Sequence, residues 1–284
     1  METLRIAYAD FWPEWGKEDF ITPILSKKYN IVVDQKSPDV LFHSIFGGMR
    51  ESQKYKCKKV LFLGENHRPE RFGSDYSISF DPHTVSNFRI PLWQVFILNN
   101  SEIKAQLFNR TRFEISEFKR FCSFTISNGA NFLRNSAYHI LSGYKPVHSY
   151  GRYMTNSMDL QKISEGSYWR DAKNDFFKKV PHKFSLVYEN TPYPYYCTEK
   201  LMDAFLAGSL PIYNGDPKVN EDWNEKAFIN TQKNLHWIEM IKEVDGNDEL
   251  FLEIYNEPVF TESQKQKHIE NLEKFEEWLL TIVL

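Results

Sequence analysis

Residues 183–217, KFSLVYENTPYPYYCTEKLMDAFLAGSLPIYNGDP, decide how this chain folds. Lys183–Tyr188 is an apolar run of strand type. Residues 191–196 form a loop with two prolines and three tyrosines. Leu201, Ala204 and Phe205 then recur at helical spacing, Gly208 suits the helix stop, and Leu210–Tyr213 is another strand. Strand, loop, helix, strand is the building unit of an open α/β sheet, and such sheets bind ligands where a strand hands over to a helix. The polar residues that can do chemistry sit at that junction. Thr198 is expected to cap the helix through its hydroxyl. A helix start is a natural anion site, and Lys200 adds a mobile positive charge there. Glu199 is an acceptor for sugar hydroxyls, and Asn190 and the loop tyrosines, Tyr196 among them, suit a ribose or a base. An isolated Thr-Glu-Lys would be read as a solvated helix start; the length and aromatic content of this stretch favour a site.

The same alternation extends outward. Leu4–Ala9, Ile31–Val33, Val40–Phe46, Val60–Leu63 and Tyr76–Phe80 are strand candidates toward the N-terminus. Their near-continuous apolar runs suit strands covered on both faces of a parallel sheet. Residues 91–116 have a looser pattern and are taken as the region between domains. A second series follows: a strand at Phe121–Ile126, a helix at Phe132–Leu141, an extended piece at Pro146–Tyr150, a helix at Trp169–Lys178, then the stretch quoted above. Leu235–Glu243 is amphipathic, and a helix covers about Gln264–Ile282. The expected fold class is α/β, with two Rossmann-like doubly wound domains facing a cleft. The expected boundaries are 1–110, 111–265 and a C-terminal helix over 266–284, packed on the protein's own surface.

Composition narrows the function. The 284 residues carry a formal net charge of -3, which gives no support for nucleic-acid binding. Three cysteines, Cys57, Cys122 and Cys197, are odd in number and widely spaced, so no disulfide framework or structural zinc site is expected. No secretory signal or membrane span is read, which points to the cytoplasm, with at most peripheral contact at the inner membrane. Without a signal, the glycosylation-type tripeptides at Asn99 and Asn109 are taken as coincidence. Dinucleotide, phosphate-loop, zinc-protease and serine-hydrolase motifs are all missing. So is any D-x-D pair, the usual metal-binding dyad of sugar-nucleotide enzymes.

Glu189-Asn190, Tyr196 and Thr198-Glu199-Lys200, followed by the apolar helix and Pro211-Ile212-Tyr213-Asn214-Gly215, resemble the donor-binding signature of the α-1,3/4-fucosyltransferases, glycosyltransferase family 10, in their bacterial form. Cys197 departs from the family's usual aliphatic residue. Three other segments are similar to the family in the expected order: DVLFHSIFGG (39–48), VLFLGENHRPE (60–70) and SNGANFLRNSAYHIL (127–141). The resemblance implies a GT-B type fold and a fucosyltransferase using GDP-fucose and a lactosamine-type acceptor, with transfer to O3 or O4 of GlcNAc. It places the catalytic base on Glu65 and the donor site on Arg134, Asn190, Tyr196, Thr198, Glu199 and Lys200. No cofactor is required on this reading, and a divalent metal is at most stimulatory.

The residues fit those roles chemically. An inverting displacement needs one base for the acceptor hydroxyl, and a departing diphosphate needs cations or helix dipoles. Locally, Glu65 is as readily a partner of Arg68 or His67, and Arg134 a solvated helix residue. Two alternatives stay open: a transferase for another GDP-sugar, and a non-catalytic protein that binds glycans or sugar nucleotides. Tyr8, Phe11, Trp12 and Trp15 cluster after the first strand, more in the manner of core than of an acceptor groove.

Overall fold

The computed structural model describes residues 1–98, 100–110, 112–158 and 169–284. Asn99 and Thr111, and with them part of each glycosylation-type tripeptide, lie outside the described residues. The chain forms two compact units, residues 1–101 with 266–284, and residues 102–265.

In the first unit, β1 (Thr3–Ala9), β2 (Asn30–Val33), β3 (Val40–His43), β4 (Lys58–Phe62), β5 (Tyr76–Ser79) and β6 (Asn87–Arg89) form a parallel sheet in the order β2-β1-β3-β4-β5-β6. Ala9 pairs with His43, and His43 with Leu61, so the three central strands end on one row. All four residues of β3 are buried, as its apolar run requires. Strand β3 stops before the expected Phe46, because Gly47, Gly48 and Met49 turn the chain through positive φ. Strand β6 carries no apolar run to announce it. Its Asn87 is buried in a closed set of bonds: Ser77 and Ser79 hydroxyls donate to Oδ1 at 2.7 and 2.8 Å, and Nδ2 donates to the Asp81 carbonyl at 2.9 Å.

Short helices α1 (Trp15–Glu18) and α2 (Ile21–Leu25) follow β1. The residues expected to be loose between domains instead hold α3 (Leu92–Leu98) and α4 (Ser101–Phe108).

The second unit carries a parallel sheet of β7 (Arg120–Phe124), β8 (Val147–Ser149), β9 (His182–Tyr188), β10 (Leu210–Asn214) and β11 (Ile229–Asn230), in the order β11-β10-β9-β7-β8. Among its described residues are α4 from Glu102 onward and helices α5 (Phe132–Ser142), α6 (Trp169–Lys179), α7 (Glu199–Leu206), α8 (Trp237–Gly246) and α9 (Asp248–Tyr255). Helix α9 is an addition to the elements expected from sequence; the Asn247 side chain caps it, accepting from Glu249 N and Leu250 N. The division falls before the residue-110 boundary expected from sequence. Arg110 is buried in the second unit, where its guanidinium donates to the carbonyls of Ser209 (2.5 Å) and Tyr255 (3.2 Å) and stacks on the Phe205 and Tyr255 rings. Burial lowers its pKa to about 10.

The last helix, α10 (Glu262–Ile282), counts with the first unit from Gln266 onward. Phe275 packs against Phe20 and Phe88, at 6.0 and 5.3 Å between ring centroids. Gln94 donates to the buried His268 at 2.9 Å, and Lys58 donates to the Ile282 carbonyl at the helix end. Among the described residues, no helix is long and apolar enough to cross a membrane.

Candidate active site

Each sheet has a point where its strand order reverses, and there the loops on either side splay apart to leave room for a ligand. In the second unit, β8 lies on one side of β7 while β9, β10 and β11 lie on the other. The reversal therefore sits between β7 and β9. The segments that follow those two strands are residues 125–134 and 189–200, which contain every residue assigned to the donor from the sequence.

The two segments are stitched together. Asn131 caps α5, its side chain accepting from Arg134 N at 3.0 Å, while its Nδ2 donates to the carbonyls of Glu189 and Asn190 at 2.9 and 3.0 Å. Arg134 donates through Nη1 to Asn190 Oδ1 at 3.0 Å and through Nη2 to the Asn128 carbonyl. It is only 2% exposed, so it is not a solvated helix residue. Burial pushes its pKa down, against the pull of the Glu189 carboxylate. Its Nε has no partner among the described residues.

Thr198 departs from its expected role. It stands at the N-cap of α7, but its side chain makes no capping bond. Its hydroxyl lies 2.7 Å from Glu189 Oε2 and 3.0 Å from Oε1, and its backbone N–H donates to Oε1 at 2.8 Å. A hydrogen bond to a buried carboxylate is about twice as strong as one to a neutral cap, so the tertiary partner wins. Lys200 completes the set, its ammonium donating to Thr198 Oγ1 at 2.8 Å and to Glu189 Oε2 at 3.2 Å. Glu199 lies 3.6 Å from the same ammonium. Tyr196 and Cys197 are buried, and burial pushes the Cys197 thiol far up, so it stays protonated. Tyr196 is therefore packed inside the unit rather than open for stacking on a base. The neighbouring Tyr195 takes φ 67°, costly for an aromatic residue, and its N–H donates to Asp216 at 2.6 Å.

In the sequence Glu189 belongs to the donor-binding signature without a role of its own, yet it is the hub of this site. The available signal is indirect: a carboxylate directly after an apolar strand, with a glycine two residues after the paired strand's Tyr213. A Cβ on Gly215 would stand 2.4 Å from Glu189 Cγ and 2.6 Å from the Tyr213 hydroxyl, so only glycine fits. A cavity of about 50 Å³ beside Lys200 is lined by Thr125, Lys173, Ser185, Tyr188 and Asp203. It has room for a few waters.

The first unit carries the residue assigned as the base. Its strand order reverses between β1 and β3, and Glu65 follows β4, the next strand. Glu65 is half-buried, and its carbonyl accepts from His67 N at 2.7 Å. Arg68 donates to Asp81 and Asn66 and stacks over Phe80 at 4.6 Å. Trp15 and Phe20 are core, whereas Trp12 is half-buried against Phe46, which is 38% exposed. Asp10, Gly47, Gly48 and Met49 all take positive φ at this edge. Among the described residues, no group of three or more His, Cys, Asp or Glu side chains is placed to hold a metal.

The profile of the alpha-(1,3)-fucosyltransferase FucT N-terminal domain matches residues 6–96. That of the glycosyltransferase family 10 (fucosyltransferase) C-terminal region matches residues 116–275. The chain is 28% identical to the alpha-(1,3)-fucosyltransferase FucT of Helicobacter pylori over 95% of its own length, and spans 63% of that protein. It is 28% identical to a putative fucosyltransferase of Acanthamoeba polyphaga mimivirus, spanning 33% of that one. It thus covers less than two thirds of either relative. A solved alpha1,3-fucosyltransferase superposes with a TM-score of 0.72 at 23% identity, over 97% of this chain and 90% of that one. The same enzyme type with GDP bound gives 0.71 at 25%, over 97% and 91%. The two parallel sheets are thus those of a GT-B type fold. With more than half of its length matched by the family's C-terminal profile, the chain belongs to glycosyltransferase family 10, the fucosyltransferases.

Proposed function

We propose that this protein is an inverting, GDP-fucose-dependent α-1,3-fucosyltransferase that moves L-fucose to O3 (or O4) of GlcNAc in a lactosamine-type acceptor. The observation that carries the reading is the pair of cations, Arg134 and Lys200, tied into one hydrogen-bonded network at the reversal point of the second sheet. A leaving diphosphate gains negative charge as its bond to the sugar breaks, and preorganised cations offset that charge most where water is excluded. Helix α7 starts beside these cations, and a helix start favours an anion through its dipole.

In the proposed reaction, Glu65 accepts the proton of the acceptor hydroxyl. The hydroxyl oxygen forms its bond to the anomeric carbon as the bond from that carbon to the diphosphate oxygen breaks, and GDP departs. One displacement inverts a β-linked donor into an α-linked product. Asn190 and Glu199 serve as hydrogen-bond partners for the donor, while Tyr196 and Thr198 shape the site from within. No metal or cofactor takes part in these steps, and a divalent ion is at most stimulatory. The proposed location is the cytoplasm, at most with peripheral membrane contact.

The test is transfer from GDP-fucose and from GDP-mannose to type 1 and type 2 disaccharides, with product linkage read by NMR. The reading expects α-linked fucose on GlcNAc from GDP-fucose alone. Transfer only from GDP-mannose would point to another GDP-sugar, and GDP binding without transfer to a non-catalytic relative.

A further inference from the structure

Glu189 is a charged group that a scheme built on a base and two phosphate-binding cations does not use. Its side chain is 0% exposed, whereas that of the Lys200 it holds is 24% exposed. Burial pushes the Glu189 carboxyl up, and Lys200 opposes that shift. One oxygen is occupied by the Thr198 N–H and the other by the Lys200 ammonium. Close packing at Gly215 fixes the carboxylate from behind. The Lys200 ammonium therefore already has an anion before any ligand arrives, and that anion cannot turn to water for compensation when the ammonium leaves.

We propose that Glu189 is a positioning residue that competes with the donor's diphosphate for Lys200, so that nucleotide binding moves the ammonium off Glu189 and product GDP is held less tightly than two free cations would hold it. The proposal rests on the donor reading above. Two effects of the carboxylate lower anion affinity: it occupies the ammonium, and its own charge repels the diphosphate through dry protein. One effect raises it: the tether spares Lys200 some loss of rotamer freedom on binding. The first two act between full charges in the interior and outweigh the ordering of one side chain. The arrangement suits turnover, because the cations that help GDP depart from the sugar would otherwise retain it.

Calorimetric titration with GDP tests this on wild type, Glu189→Gln, Lys200→Ala and the double variant, each checked for folding by thermal unfolding. Glu189→Gln keeps the volume and an acceptor for the Thr198 N–H. It is expected to bind GDP about tenfold more tightly, and to gain clearly less when Lys200 is already Ala, where only the direct repulsion is relieved. Unchanged or weaker binding by a folded Glu189→Gln overturns the proposal, as does an equal gain in both backgrounds, which marks an effect that bypasses Lys200. A crystal structure of the wild type with GDP tests the same exchange without a mutation. The Lys200 Nζ to Glu189 Oε2 distance, 3.2 Å without ligand, should open beyond hydrogen-bond reach. Lys200 still on Glu189 overturns the exchange and leaves the donor reading standing. Failure of the wild type to bind GDP sinks both.

Discussion

The candidate sites of the two units are built in opposite ways. In the second unit Arg134, Tyr196 and Thr198 are buried, Asn190, Glu199 and Lys200 are half-buried, and the residues are tied together: Arg134 to Asn190, Thr198 and Lys200 to Glu189, Asn131 to the Glu189 and Asn190 carbonyls. In the first unit Glu65 is half-buried, in a unit whose positive-φ edge presents the partly exposed Phe46. The contrast fits two different tasks. A charged leaving group common to a whole family of reactions is best met by a rigid, preorganised network. The base proposed at Glu65 would work on a variable acceptor, and a loop suits that, because neighbouring residues there can change without disturbing the core.

The largest effect on this comparison should come from Gly215→Ala. Its new Cβ would meet Glu189 Cγ at 2.4 Å, inside a packed network that cannot yield without releasing Thr198 and Lys200. A loss of about 2–3 kcal/mol in urea unfolding is expected, together with loss of GDP binding. A stable variant that binds GDP normally would show that the network is less rigid than its packing implies.

Lys200→Ala should weaken GDP binding about tenfold in calorimetry, a loss of about 1.4 kcal/mol. It also strips Glu189 of its cation. Unchanged affinity would remove Lys200 from the diphosphate site and leave Arg134 as the cation assigned there.

A separate, pH-dependent effect comes from the far end of the second sheet. His182 is fully buried, accepts from the Tyr150 hydroxyl at 2.8 Å and donates to the Val180 carbonyl at 2.7 Å. Burial, helped by His148 and Arg120, lowers its pKa from 6.5 to about 3. The unfolded chain therefore takes up a proton near pH 6.5 that the folded chain refuses until about pH 3. Stability contributed by the neutral ring is full above 6.5 and is lost as pH falls, by up to about 1.4 kcal/mol per pH unit. Denaturation at pH 7 and pH 5 should show this slope in the wild type and a flatter one in His182→Asn. Equal slopes would assign the acid sensitivity elsewhere.

Much of the fold is legible because parallel strands covered on both faces leave unbroken apolar runs, and β1, β3, β4, β9 and β10 all carry them. Strand β6 is not, because its buried Asn87 is stabilised by two serine hydroxyls from another strand rather than by apolar burial. In the site, residue types and order point to Arg134, Asn190 and Thr198-Glu199-Lys200. What they do locally is less legible. The Thr198 hydroxyl reads as a helix cap until a carboxylate nine positions earlier in the chain is folded against it. Glu189 is legible as part of the signature but not as its hub, since burial belongs to the tertiary structure and leaves no local mark.

In the proposed reaction this chain transfers fucose from GDP-fucose with Glu65 as the base. The most direct measurement is the steady-state transfer rate to a type 2 lactosamine by wild type and Glu65→Gln, with GDP affinity measured on both proteins. The account predicts transfer by the wild type, a loss of about 10²–10⁴-fold in Glu65→Gln, and GDP binding within about twofold of wild type in the variant. A Glu65→Gln protein that transfers fucose near the wild-type rate would contradict it.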